Sequence, residues 1–272
     1  MKFRKSTTRD LLILLGVFAV LWVGFSYLPF FKSDNENTSL LSIENEEKLG
    51  SVITTAIEKD PTTVICSNEI LDSAMKAITL RLLKNVGLTE YEYHIKVIDK
   101  KDINAFTIPG GNIYVFSGLI NFCETPEELA AVLAHEIGHA EKRHVVSKLT
   151  KELGLSILFS IIGGNNGVLI SEIGRTTLST KFDREQEKQA DDYSYALMEK
   201  SKLDPKSMSS FMLRLREKYA DIENVMDKLE WMNTHPNTNS RIKSGMEYKT
   251  APGFVAETFG MNWQRVKESL KK

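Results

Sequence analysis

Between Ser67 and Val86 apolar residues recur at helical spacing, with Ile70, Leu71, Ala74, Met75, Ile78 and Leu82 on one face. This predicts a core-facing helix with Ser67 as its N-cap. Residues 92 to 98 alternate in the manner of a strand. Residues 104 to 108 and 112 to 116 flank Pro109, Gly110 and Gly111, a turn cluster that joins two short strands. Beyond Ser117 the periodicity turns helical, over 126–149, 151–162, 168–180, 183–200, 205–219, 222–232 and 259–271. The predicted class is α+β, mostly helical, with a small sheet. No repeat at a period of 20 to 50 residues is visible, which argues against a helical solenoid.

The N-terminus follows a different pattern. Leu11 to Phe31 is a run of 21 residues without a charge, long enough as a helix to cross about 30 Å of hydrocarbon. Lys2, Arg4, Lys5 and Arg9 precede it, so the positive-inside rule places residues 1–10 in the cytoplasm. A cleaved signal peptide needs a shorter apolar stretch and small residues at its end, whereas this run closes on Tyr27, Leu28, Pro29, Phe30 and Phe31. An uncleaved transmembrane signal-anchor over 11–31 is therefore expected, with the remainder on the non-cytoplasmic side. Residues 32–50 are polar and acidic and read as a linker or a frayed helix start, and the folded domain is assigned to 51–272. A second apolar segment, Leu153 to Ile162, is too short to span a bilayer. Core packing, a lid over a cleft and a membrane-dipping surface are its three readings.

Composition narrows the function. Thirty-five Lys plus Arg against thirty-six Asp plus Glu leave a net charge of −1, so no basic field exists to collect nucleic acid. With only two cysteines, Cys66 and Cys123, a multi-cysteine zinc site cannot be built, and any metal must be held by histidine and carboxylate. Whether the two cysteines pair stays open.

Thr125, Pro126 and Glu128 make a helix start, a hydroxyl N-cap followed by proline at the first position and glutamate at the third. The helix that follows is apolar on all sides from Leu129 to Ala140 except for His135, Glu136 and His139. Histidines at i and i+4 lie on one face and can aim imidazole nitrogens at a single ion. Glu136, turned by about 100°, sits beside that ion and can take a proton from an attacking water. His144 lies about 140° round a continuous helix from His139, which predicts a surface or second-layer position.

A catalytic zinc site needs a third protein ligand. Glu187 and Asp191, one turn apart in a long helical stretch, offer a ligand and a carboxylate to orient a ligand histidine; the bland alternative is a solvated acidic face. The strand Asn112, Ile113, Tyr114, Val115 and Phe116 shortly precedes the active helix and is expected to form the rim of the cleft, where an extended substrate could add to its edge.

Four segments together resemble the HtpX and CAAX-prenyl-protease family of zinc endopeptidases, which includes Oma-like and BepA-like proteins: NAFTIPGGNIYVFSGLI at 104–120, ELAAVLAHEIGHAEKRH at 128–144, DREQEKQAD at 183–191 and THPNTNSR at 234–241. The resemblance covers about residues 65–247. It implies a gluzincin-type site holding one Zn2+, with His135, His139 and Glu187 as ligands, Glu136 as general base and Asp191 in the family's A-D pair. It also puts His235 near the metal, as an oxyanion donor or a gate, with packing as the alternative. Arg241 would pair with a site carboxylate or lie on the surface. Asp183 stands where relatives often carry serine, and no tetratricopeptide repeats are expected after Arg241. The implied function is a membrane-anchored zinc endopeptidase acting on unfolded or misassembled proteins, most simply in a bacterial inner membrane facing the periplasm. A zinc-stabilised chaperone or assembly factor with a closed site is the alternative. A membrane-embedded prenyl-peptide protease is disfavoured by the single expected span.

Overall fold

The structure is a computed structural model that describes residues 16, 41–84, 91–164, 181–219, 231, 234–236 and 238–270. The expected membrane span apart from residue 16, the first part of the linker (32–40), the expected helix over 168–180 and the expected helix over 222–232 apart from residue 231 lie outside these residues. None of the described helices is long and apolar enough to cross a membrane. The chain divides into two units, residues 1–38 and 39–272, and the second holds the whole of the sheet.

Helix α1, Ile43–Lys59, starts inside the segment assigned to the linker. Ser42 caps it by accepting from the Asn45 N–H, and Glu46, Leu49 and Ile53 are buried along its inner face. Strand β1, Ile65–Cys66, leads into α2, Glu69–Leu83. The N-cap of α2 is Asn68 rather than Ser67: its side chain accepts from the Leu71 N–H, while the Ser67 hydroxyl donates to Asp72. Strands β2, His94–Ile98, β3, Ala105–Ile108, and β4, Asn112–Phe116, complete a four-stranded sheet of order β1-β2-β4-β3. β2 and β4 run parallel and the other pairs antiparallel. Gly110 and Gly111, at φ of +74° and +75°, turn the β3–β4 hairpin through conformations a β-carbon would disfavour.

Alternation along β4 divides the core. Ile113 and Val115 face one apolar cluster with α2, while Tyr114 and Phe116 face a second with α1. Both faces are therefore covered. A short helix α3, Ser117–Phe122, links β4 to α4, Pro126–Glu141. Thr125 caps α4 as expected, accepting from the Glu128 N–H. The helix ends at Glu141 instead of running on to 149, because Arg143 takes a left-handed conformation at φ 55° before α5, His144–Leu153, begins. Such a residue costs roughly 1–2 kcal/mol. Its guanidinium offsets that by binding the buried Glu46 carboxylate and the Leu41 carbonyl.

Helix α6, Leu155–Ile162, buries Leu158 and Ile161 in the cluster shared with α1, which favours core packing for this segment, and leaves Phe159 exposed. α7, Arg184–Lys200, crosses α4 at Gly138. A β-carbon there would stand 2.9 Å from the Ala190 carbonyl oxygen, so glycine permits the approach. Helices α8, Ser207–Lys218, α9, Thr238–Met246, and α10, Trp263–Ser269, close the far side. α10 begins later than the expected 259. Cys66 and Cys123 are free thiols.

Candidate metal centre

α4 is the central helix of the domain, buried from Glu128 to Ala140, and it carries His135, Glu136 and His139 into the interior. α7 brings Glu187 and Asp191 against them. Its start is fixed by Asp183, whose carboxylate accepts from the Glu185 and Gln186 N–H groups while Gln186 completes a reciprocal cap. Asp183, where relatives often have serine, thus serves as an N-cap.

The Nε2 atoms of His135 and His139 lie 3.0 Å apart. Glu187 places Oε2 3.7 Å from His135 Nε2 and Oε1 3.5 Å from His139 Nε2. His235 adds Nδ1 at 3.2 Å from His135 Nε2 and 2.9 Å from Glu187 Oε1. Ligand atoms from these four residues all fall within 4.8 Å of one another, and all four side chains are buried.

The surroundings set which atoms can bind a cation. Asp191 Oδ1 stands 2.9 Å from His135 Nδ1 and, as an ionised carboxylate, only accepts, so Nδ1 carries the proton and Nε2 presents a lone pair. Burial by itself would raise the Asp191 pKa, but Arg241 and His135 hold it down at about 2. Arg241 is buried and grips Asp191 with two bonds, Nε at 2.7 Å and Nη2 at 2.8 Å, and its Nη1 also reaches Glu187. Burial likewise pushes Glu187 up; His235 and Arg241 outweigh it and keep this carboxyl well below the usual range. Burial lowers His135 to about 4 and holds His139 well below its ordinary value, so neither imidazole resolves the crowding by taking up a proton near neutrality. Two buried nitrogen lone pairs beside an ionised carboxylate suit a borderline-soft cation such as Zn2+.

Glu136 points elsewhere. Its Oε2 accepts from the Thr107 hydroxyl at 2.9 Å, and its Oε1 has no hydrogen-bond donor and lies 3.5 Å from His235 Nε2. Burial raises its pKa to about 7 against the lowering by His235 and Thr107. The carboxyl is thus poised to exchange a proton near neutral pH.

The structure therefore brings His135, His139, Glu187, His235, Glu136 and Asp191 to one place. Arg241 belongs to it and is not on the surface. His144, buried at 4% exposure, is no surface residue either: with the helix broken at Arg143, its Nδ1 comes to 2.9 Å from His139 Nδ1. The strand Asn112–Phe116 is not a rim. β4 is paired on both sides, with β2 and with β3, so its main-chain groups cannot receive a peptide. The end strand beside β4 is β3, and Thr107 of that strand touches Glu136. Thr107, Gln189, Phe182 and Trp231 escaped the sequence reading. Phe182 stacks on His139 at 3.8 Å and Trp231 on His235 at 4.0 Å, contacts that no spacing rule reveals.

A helical H-E-x-x-H pair joined by a glutamate from a second helix defines a metallopeptidase centre of the gluzincin type. The chain belongs to peptidase family M48, whose model matches residues 69–248. It is similar to the mitochondrial metalloendopeptidase OMA1 of Schizosaccharomyces pombe, with 30% identity over 176 residues, 62% of this chain and 51% of that protein. The bovine metalloendopeptidase OMA1 is 30% identical over 188 residues, 62% of this chain and 36% of the relative. The beta-barrel assembly-enhancing protease of Escherichia coli K12 is 24% identical over 219 residues, 75% and 44% of the two chains. The chain thus spans about half or less of the length of these relatives.

Proposed function

We propose that this protein is a zinc-dependent endopeptidase that hydrolyses peptide bonds in unfolded or misassembled proteins. The observation that carries the reading is the fully buried donor set of His135, His139 and Glu187 with the carboxyl of Glu136 beside it. A zinc ion bound there would polarise the scissile carbonyl and acidify the attacking water. His135, His139 and Glu187 would hold the ion; Asp191 fixes the ring of His135, and Arg241, between the two carboxylates, offsets their mutual repulsion. Glu136 receives the proton of the attacking water on Oε1, held in place by Thr107 through Oε2, and returns it to the leaving amine. His235 lies within reach of Glu136 and Glu187 and can donate to the oxyanion once substrate displaces it. An extended substrate would lie along β3 rather than β4, because β3 is the end strand that reaches Glu136.

The uncharged run Leu11 to Phe31 supports a single-pass anchor with the catalytic domain outside the cytoplasm. The relatives' names, a mitochondrial metalloendopeptidase and a beta-barrel assembly-enhancing protease, support a quality-control substrate class.

One observation favours the closed-site alternative as a resting state. His135, Glu136, His139, Glu187 and His235 are each exposed by 2% or less, so a substrate carbonyl cannot reach Glu136 without a rearrangement of the groups around it. The test is cleavage of a denatured protein by the full chain in detergent, before and after removal of metal by a chelator and after its return. Activity lost and restored with zinc supports the peptidase; client binding that is indifferent to metal, without cleavage, supports the chaperone.

A further inference from the structure

We propose that His144 and Gln189 are positioning residues that orient His139, fixing which of its ring nitrogens faces the metal site. The proposal rests on the reading of His139 as a metal ligand. It concerns a part of the centre on which the H-E-x-x-H spacing is silent.

His139 Nδ1 stands 2.9 Å from His144 Nδ1, and His144 Nε2 stands 3.1 Å from Gln189 Oε1. A neutral imidazole carries one proton, so a contact between two Nδ1 atoms requires one of them to donate and the other to accept. The direction is set at the far end. Gln189 Oε1 faces His144 as an acceptor, and this way round the amide Nε2 faces the Glu185 carboxylate, one turn earlier, at 3.5 Å. His144 therefore has its proton on Nε2 and a lone pair on Nδ1. His139 must then donate from Nδ1, which leaves Nε2 as the free lone pair, 3.0 Å from the Nε2 of His135. Reversing the amide of Gln189 would reverse every step and put a proton on the nitrogen that should bind the ion.

Two further features make the chain geometric rather than fortuitous. The left-handed residue Arg143 breaks the helix just before His144 and turns its ring back against His139, which a continuous helix would not permit. Phe182 stacks on the His139 ring at 3.8 Å with 22° between planes, so the ring rotates only with difficulty and the hydrogen bond decides its orientation. His135 receives the same service from Asp191; His139 receives it from a neutral pair.

The test measures zinc affinity of the full-length protein in detergent by competition with a chromophoric chelator, together with the melting temperature of the metal-free form. His144→Leu removes the acceptor and is expected to weaken zinc binding about 10- to 100-fold. His144→Asn, whose amide oxygen can accept where Nδ1 does, is expected to recover most of that affinity at a similar metal-free melting temperature. Gln189→Met is expected to weaken binding several-fold, and Gln189→Glu, which keeps an acceptor, to leave it near wild type. Equal losses for His144→Leu and His144→Asn, or unchanged affinity in His144→Leu, would overturn the proposal. Should His144→Leu fail to fold, the half-exposed Gln189 pair decides alone, and equal affinity for its Met and Glu variants would overturn it. If the wild-type protein itself binds no zinc, the peptidase reading fails instead, an outcome distinct from a wild type that binds while the variants bind equally well.

Discussion

The two histidines of α4 that face the metal centre stand one turn apart and are held by opposite kinds of chemistry. His135 leans on an ionised carboxylate, Asp191, itself locked by the buried guanidinium of Arg241. His139 leans on His144 and Gln189. The first support is a buried charge network, in which losing one member strands the others in a medium that cannot solvate them. The second is a neutral relay whose loss strands only dipoles. The same task of presenting Nε2 is thus coupled to folding on one side and nearly uncoupled from it on the other.

The largest effect should come from breaking the charged side. Asp191→Ala leaves Arg241 Nε and Nη2 and His135 Nδ1 buried without their acceptor, Glu187 alone still pairing the guanidinium, and we expect a loss of about 3–5 kcal/mol in stability of the metal-free protein together with its zinc affinity. Thermal unfolding of the metal-free form is the check. An effect as small as that of a neutral-relay variant would erase the distinction between the two supports.

Next in size is Gly138→Ala, which acts on both sides at once. The added methyl would press on the backbone of Ala190, between Glu187 and Asp191, and push α7 off α4. A cost of about 1–3 kcal/mol is expected, with weakened zinc binding, measured by denaturant unfolding and chelator competition. His235→Ala should change turnover far more than zinc content, because His135, His139 and Glu187 remain. A large zinc loss would make His235 a structural ligand.

The smallest expected effect is a pH dependence of the metal-free protein. His135 and His139 have folded pKa values below the ordinary 6.5, so the stability they contribute is fully present above that value and is lost as pH falls toward 4. Glu136 has a raised value of about 7, so its contribution runs the other way, present at low pH and lost as pH rises from 4.5 to 7. Between pH 7 and 5 the glutamate partly offsets the histidines. Glu136→Gln removes the offset and should lose stability on acidification more steeply than wild type, as read by melting temperature against pH.

Much of this centre was legible in the sequence. The apolar helix interrupted only by His135, Glu136 and His139 marks the metal face, because a carboxylate between two histidines inside a buried helix is costly unless a cation or a reacting group balances it. The Thr125–Pro126 start and the Gly110–Gly111 hairpin follow from backbone chemistry alone. What escaped depends on contacts between distant segments. The helix break at Arg143 carries no glycine or proline signal; it is held by Glu46, 97 positions away in α1. Without that break His144 would project from the far side of a continuous helix, which is why spacing placed it away from His139. The position of β4 inside the sheet was equally hidden. A parallel pairing with β2 across the intervening β3 is topology, and alternation along a strand gives the faces but not the neighbours. The acidic stretch before residue 50 reads as a tether because Glu46 is counted as polar, yet it is buried by Tyr91 and Arg143.

The most direct test of the central claim is cleavage of a denatured model protein by the full chain, comparing wild type with Glu136→Gln at equal zinc content. Glu136 touches no ligand position that zinc needs, so both proteins should hold the ion while the variant cuts at least about 100-fold more slowly. Equal cleavage by the two would contradict the assignment of Glu136 as the base, and zinc-loaded wild type that cuts nothing would contradict the endopeptidase itself.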